Sequence, residues 1–200
     1  MKIETVADIE SDLAHRNYQL TGSAAFRRSK DAYGQLSNMT WGYPLKVNGL
    51  TFQGPEGLYQ AMKFPDHPEI QRSIAAARSG MEAKRAAYDQ PVQPMAGWDQ
   101  LRIQAMALTL AIKLMQHPAK FERALRETVH RDIVENSHRD PFWGARPVPG
   151  GYSGTNVLGR LLTALKNHLD ETGEPEKAAT RLLTGVKIDG FTINGRSCVQ

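Results

Sequence analysis

Apolar residues recur at helical spacing at Val6, Ile9 and Leu13, behind Thr5 and Asp8 in the positions of a capping box. This pattern predicts a short amphipathic helix near the start of the chain. Further on, Pro44-Leu45-Lys46-Val47 and Leu50-Thr51-Phe52 flank Asn48-Gly49, a dipeptide that tolerates the positive φ angles of a two-residue turn, so a β-hairpin is predicted there. Gly54-Pro55-Glu56 opens a helix, because proline lacks an N–H that the first turn would leave unpaired anyway. Pro65 stops that helix after Phe64. More helices are predicted from Pro68 to Ser79, Met81 to Tyr88, Asp99 to Gln116 and Pro118 to Thr128. The segment from Asp99 spreads Leu101, Met106, Leu108, Ile112 and Met115 widely around its axis, the pattern of a largely buried central helix.

The stretch Asp132 to Glu135 reads as extended, and a loop rich in proline and glycine is predicted from Pro141 to Gly154. A helix from Asn156 to about Leu169 carries Leu158, Leu161, Leu162, Leu165 and Leu169, with Thr155 as its N-cap. Residues 171–176 read as a linker, and residues 186–193 as a second hairpin turning at Asp189-Gly190. The pattern amounts to a predominantly helical α+β fold with small β-hairpins. It is organised as an N-terminal extension (1–25), a central domain (26–170) and a C-terminal extension (171–200).

Composition narrows the chemistry. With 200 residues, 40% of them hydrophobic, the chain can bury a core without disulfides or metals. Its net charge of +4 suits an anionic partner, although the basic residues are scattered and most read as a solvated surface. The lone cysteine, Cys198, gives no support for an oxidising compartment, and no apolar run suggests a signal peptide or membrane span, so the cytoplasm is the expected location. A Walker loop, a Rossmann glycine fingerprint and a nucleophile elbow are all missing. The histidines show no pair at metal-ligand spacing, so neither a metal nor another cofactor is expected. Carboxylate chemistry survives this elimination.

Three segments can carry it. Val134-Glu135 through Asp140-Pro141-Phe142-Trp143-Gly144 packs acids, an amide, a hydroxyl and an indole into a strand-to-loop passage, which is otherwise a polar surface turn with one aromatic anchor. On the helix from Glu56 to Phe64, Glu56, Gln60 and Lys63 lie near one another, although pattern alone favours an exposed face with an ion pair. In Gly154-Thr155-Asn156-Val157-Leu158-Gly159 the N–H groups of a helix start can hold a phosphate or ribose oxygen, or simply be capped.

Taken in order, Tyr33-Gly34-Gln35-Leu36-Ser37-Asn38-Met39, Glu56 to Phe64, Trp98 before a long helix, Val134 to Gly144 and Gly154 to Gly159 resemble the NADAR domain, also called the YbiA-like family, over roughly Phe26 to His168. Pro55, Gly57 and Ala96-Gly97 depart from the family's usual residues. The resemblance implies an N-glycosidase: some members cleave phosphoribosyl intermediates of riboflavin synthesis, and others remove ADP-ribose from modified guanine bases. It implies Glu56 and Asp140 as catalytic acids and Trp98 and Trp143 as active-site indoles. Asn38, Tyr59, Lys63, Glu135, Gly144 and Asn156 fall in the same blocks and are assigned to substrate binding.

Breaking a ribose–nitrogen bond builds positive charge at the anomeric carbon and ring oxygen, which a carboxylate stabilises while it activates water. Either Glu56 or Asp140 takes that role, and the other orients ribose hydroxyls or protonates the leaving base. Trp98 and Trp143 stack on the base, and Lys63 holds a phosphate. The segments from Tyr59 to Pro65 and from Leu158 to Leu162 look closer to the ADP-ribosyl-guanine hydrolases. The expected substrate is therefore ADP-ribosylated guanine in nucleic acid, with a cognate ADP-ribosyltransferase toxin as a partner and a phosphoribosyl intermediate of riboflavin synthesis as the alternative substrate. A non-catalytic ADP-ribose reader is the rival from another class, and it would not need the acids.

Overall fold

The structure is a computed structural model that describes residues 3–198. Among the described residues it has eight α-helices: α1 (Val6–Ser11), α2 (Pro55–Ala61), α3 (Pro68–Ala75), α4 (Gly80–Tyr88), α5 (Trp98–Gln116), α6 (Pro118–Arg126), α7 (Val157–Thr172) and α8 (Pro175–Leu182). The strands are short: β1 (Arg16–Gln19), β2 (Ser23–Phe26), β3 (Leu45–Val47), β4 (Leu50–Phe52), β5 (Asp132–Glu135), β6 (Arg146–Val148), β7 (Gly151–Gly154), β8 (Thr192–Ile193) and β9 (Arg196–Ser197). This is the mainly helical α+β fold that the residue pattern predicts. Helix α5 forms its axis, with Ile103 and an unbroken run from Ala105 to Leu114 buried, and it packs against α2, α6, α7 and α8.

The strands divide into small sheets. Antiparallel β1-β7-β6 makes a three-stranded sheet, β2 lies parallel to β5, and β3-β4 and β8-β9 are hairpins. The predicted loop from Pro141 to Gly154 therefore contains the hairpin β6-β7, turning at Gly150 with a φ of 81°. Its glycines hide it from a propensity argument, yet they are what the pairing requires. A Cβ at Gly151 would run into the Tyr18 carbonyl of β1, and one at Gly154 would strike the Gly144–Ala145 backbone.

The described parts of both extensions are woven into the molecule. Helix α1 has the predicted capping box, with the Thr5 side chain accepting from the Asp8 N–H and the Asp8 carboxylate accepting from the Thr5 N–H. Arg160 of α7, only 3% exposed, donates to both Glu4 carboxylate oxygens and to the Asp12 carbonyl. At the other end, the stretch that reads as a linker contains a helix stop and a helix start. Gly173, at a φ of 68°, ends α7, and Pro175 opens α8, which buries Ala178, Ala179 and Leu182 against α5 and α7.

The C-terminal hairpin lies further along than predicted and turns at Asn194-Gly195, with φ angles of 53° and 75°. It docks on the matching Asn48-Gly49 turn of β3-β4: Asn48 Nδ2 donates to the carbonyls of Ile193, Arg196 and Ser197. No helix among the described residues is long and apolar enough to cross a membrane.

Candidate functional site

A cleft of about 560 Å³ opens between α2, α4, the start of α5 and the turn that follows β5. All seven residues of α2 are buried, which rules out the exposed helix face that its sequence also allowed. Glu56 in its first turn is 6% exposed. Its N–H donates to the Asn38 carbonyl at 3.3 Å, and its Oε1 accepts from Gln60 Nε2, one helical turn on, at 2.7 Å. Burial pushes the Glu56 carboxyl above its ordinary range, against the pull of Gln60, Lys84 and Lys63. Helix α4 comes close to this acid because Gly80 has no side chain: a Cβ there would lie 2.8 Å from Met39 Sδ and 3.2 Å from Glu56 Cβ.

Tyr59 and Lys63 continue this wall. Lys63 Nζ lies 5.8 Å from the Tyr59 ring, 5.7 Å from Trp98 and 5.1 Å from Tyr88, within cation–π range of all three. Burial lowers its pKa, with Glu56 pulling the other way. Asn38, 4% exposed, lines the cleft with an Oδ1 that is buried and has no hydrogen-bond partner. An enclosed amide oxygen in that condition suits a ligand's donor.

The facing residues come from β5 and its turn. Burial, with Glu56 and Asp140 beside it, pushes the Glu135 carboxyl up from 4.5 to about 7, and Lys84 offsets this only in part. Asp140 Oδ1 accepts from the N–H groups of Phe142 and Trp143 at 3.1 and 3.0 Å, so this acid shapes the turn that presents the indole. Trp143 meets the Tyr59 ring edge-on at 5.7 Å, and Trp98 leans on the same ring at 5.4 Å. Arg102 places its guanidinium 3.8 Å over Phe142.

Four N–H groups at the start of α7 are already taken. Those of Thr155, Asn156, Val157 and Leu158 donate to the carbonyls of Pro141, Gly144, Phe142 and Trp143, strapping the turn to the helix. Nor is Thr155 the N-cap. Its hydroxyl reaches the Leu13 carbonyl, and Asn156 takes the cap position at a φ of 52°.

The NADAR domain family matches residues 25–170. The chain belongs to that family. It is 33% identical to the N-glycosidase YbiA of Escherichia coli (strain K12) over 145 residues, covering 72% of this chain and 86% of that protein. A riboflavin biosynthesis protein of Vibrio vulnificus (strain YJ016) is 28% identical over 148 residues, covering 73% of this chain and 38% of that longer protein. The NMR structure of E. coli YbiA superposes with a TM-score of 0.63 at 31% identity, covering 76% of this chain and 86% of that one.

Of the residues that the NADAR resemblance singles out, Asn38, Glu56, Tyr59, Lys63, Trp98, Glu135, Asp140 and Trp143 line the one cleft. Gly144 and Asn156 do not, and each has a different task. A Cβ at Gly144 would collide with the Glu135 carbonyl. Asn156, fully buried, donates from Nδ2 to the Ile133 carbonyl and accepts the Glu135 N–H at Oδ1, which pins β5 and with it Glu135. The residue pattern missed Lys84, Tyr88 and Arg102 as lining residues. The spacing held a signal for them: Lys84 and Tyr88 are four apart on α4, and Arg102 is four beyond Trp98 on α5. Among the described residues, no group of three or more His, Cys, Asp or Glu is placed to hold a metal ion.

Proposed function

We propose that this chain is an N-glycosidase that hydrolyses the bond between a ribose anomeric carbon and a base nitrogen. The observation that carries the reading is the pairing of two desolvated glutamates, Glu56 and Glu135, in a cleft walled by Tyr59, Trp98 and Trp143. Neighbouring charges separate their roles. Gln60, Lys84 and Lys63 favour the charged form of Glu56 against its burial, and we assign it to face the developing oxocarbenium ion and take a proton from the attacking water. Glu135, with two acids around it and a value of about 7, keeps a proton near neutrality and gives it to the departing nitrogen. Water oxygen bonds to the anomeric carbon as the carbon–nitrogen bond breaks. Asp140 holds Trp143 in place through Oδ1 and offers its second oxygen to a ribose hydroxyl. A non-catalytic reader needs an acid only to hold ribose hydroxyls, whereas two desolvated acids in one cleft suit general acid–base work.

The substrate we infer is ADP-ribosylated guanine in nucleic acid, which makes the chain a reversal enzyme for a guanine-modifying ADP-ribosyltransferase. Lys63, Lys84 and Arg102 around the cleft suit a diphosphate, and the cavity volume suits a nucleotide-sized ligand. A phosphoribosyl intermediate of riboflavin synthesis is the second reading, favoured by the Vibrio relative's description. Purified protein is incubated separately with an ADP-ribosyl-guanine oligodeoxynucleotide and with the phosphoribosyl pyrimidine, and released ADP-ribose or ribose 5-phosphate is followed by mass spectrometry. Release of ADP-ribose is expected. Two intact substrates would end the glycosidase reading.

A further inference from the structure

The cleft holds two aromatic surfaces, and Lys63 stands between them. The inner one is the Tyr59, Trp98 and Trp143 cluster beside the acids. The outer one is the Tyr88 ring, which lines the same cleft yet is 69% exposed. A single exposed tyrosine has no special meaning on a protein surface. Tyr88 differs because two ammonium groups attend it, Lys63 Nζ at 5.1 Å and Lys84 Nζ at 5.9 Å from the ring centre. Both lysines also act through space on Glu56. An open ring flanked by cations is the chemistry that receives a nucleobase and the phosphates attached to it.

We propose that Tyr88, Lys63 and Lys84 form a subsite for a second nucleobase joined through a diphosphate to the ribose being cleaved, with Tyr88 as its stacking face. The inference rests on the glycosidase reading above and assigns the adenosine arm of its substrate. The order of groups along the cleft follows the order of atoms in such a ligand. The acids face the anomeric carbon, the ammonium groups meet the phosphates on the far side of that sugar, and the outer ring lies beyond them. Beside Tyr88 the cleft runs on past Gln90, Val92, Gln93 and Pro94, giving the second base an edge to lie along. A phosphoribosyl substrate fills only the inner half, so Tyr88 separates the two substrate classes.

The test compares Tyr88→Ala and Tyr88→Phe with the unaltered chain in two assays. The first is the ratio of kcat/KM for ADP-ribosyl-guanosine to that for the corresponding phosphoribosyl-guanosine. Tyr88→Ala should lower this ratio by about 5- to 150-fold, the range for loss of one base–aromatic stack, and Tyr88→Phe should restore it. An unchanged ratio in Tyr88→Ala, with both substrates still cleaved, overturns the subsite and leaves the glycosidase reading intact. The second assay is binding of adenosine diphosphate, which has no scissile bond, measured by calorimetry. Weaker binding to Tyr88→Ala and to Lys84→Met supports the subsite even if neither substrate is hydrolysed. Equal affinity for all the proteins overturns it.

Discussion

Glu56 and Glu135 line the same cleft, yet one is held by its own helix and the other by segments far away in the chain. Around Glu56 the ties are mainly local: Gln60 is one turn on, and the helix start at Gly54-Pro55 fixes the backbone. Around Glu135 they are distant. Asn156 takes its N–H, Ala145 donates to its carbonyl, and Asn136 next to it donates to Phe26. The first acid needs a helix to form, whereas the second needs β2, the 141–145 turn and the start of α7 to be assembled together.

The comparison is broken most severely at Glu56. Replacing it with Gln keeps a group of the same shape beside Gln60 but removes the charge, and kcat should fall by about 10²- to 10⁴-fold with the melting temperature little changed. A variant that turns over like the parent would remove Glu56 from the chemistry.

Smaller, and diagnostic of the distant ties, is Asn156→Ala. It strands the Glu135 N–H and the Ile133 carbonyl in a fully buried position, at a cost of about 1–3 kcal/mol per unsatisfied group. Urea denaturation should show that loss, and kcat should fall with it because Glu135 is no longer pinned. Gln60→Ala, on the helical wall, should cost less than Asn156→Ala in the same assay. A reversed ranking would show that the two acids are not held as described.

The mildest effect is a dependence on pH. Glu135 titrates near 7 in the folded chain and at an ordinary 4.5 when unfolded, so its protonated form favours the fold. The parent should therefore lose stability relative to Glu135→Gln as pH rises from 4.5 to about 7, with the gap constant above that range and absent below it. Its kcat should also decline above pH 7, a limb that Glu135→Gln abolishes. Parallel stability curves for the two proteins would count against a raised Glu135.

The same contrast explains what the residues alone reveal. Helix α2 and the Asn48-Gly49 hairpin are legible because their signals, a proline at a helix start and a dipeptide suited to positive φ, act within a few residues. The hairpin β6-β7 is hidden because its glycines are chosen by contacts with Tyr18 and Gly144, not by local preference. Helix α8 is hidden because Gly173 and Pro175 together look like a break, although one ends a helix and the other begins the next. The site divides likewise. Glu56, Asp140 and the two indoles stand in recognisable blocks, whereas Asn156 looks like a ligand contact until its amide is seen clasping β5.

The pairing of β1 with β7 has a consequence for anyone who trims the protein to its family-matched portion. A polypeptide begun at residue 25 would have lost both β1 and Glu4. Gly151 to Gly154 would become a bare rim of unmatched N–H and C=O groups, the kind of surface on which chains stick to one another. The guanidinium of Arg160 would lose its acid, Glu4, together with the Asp12 carbonyl. The opening two dozen residues thus cover an edge that the family-matched portion alone would leave open.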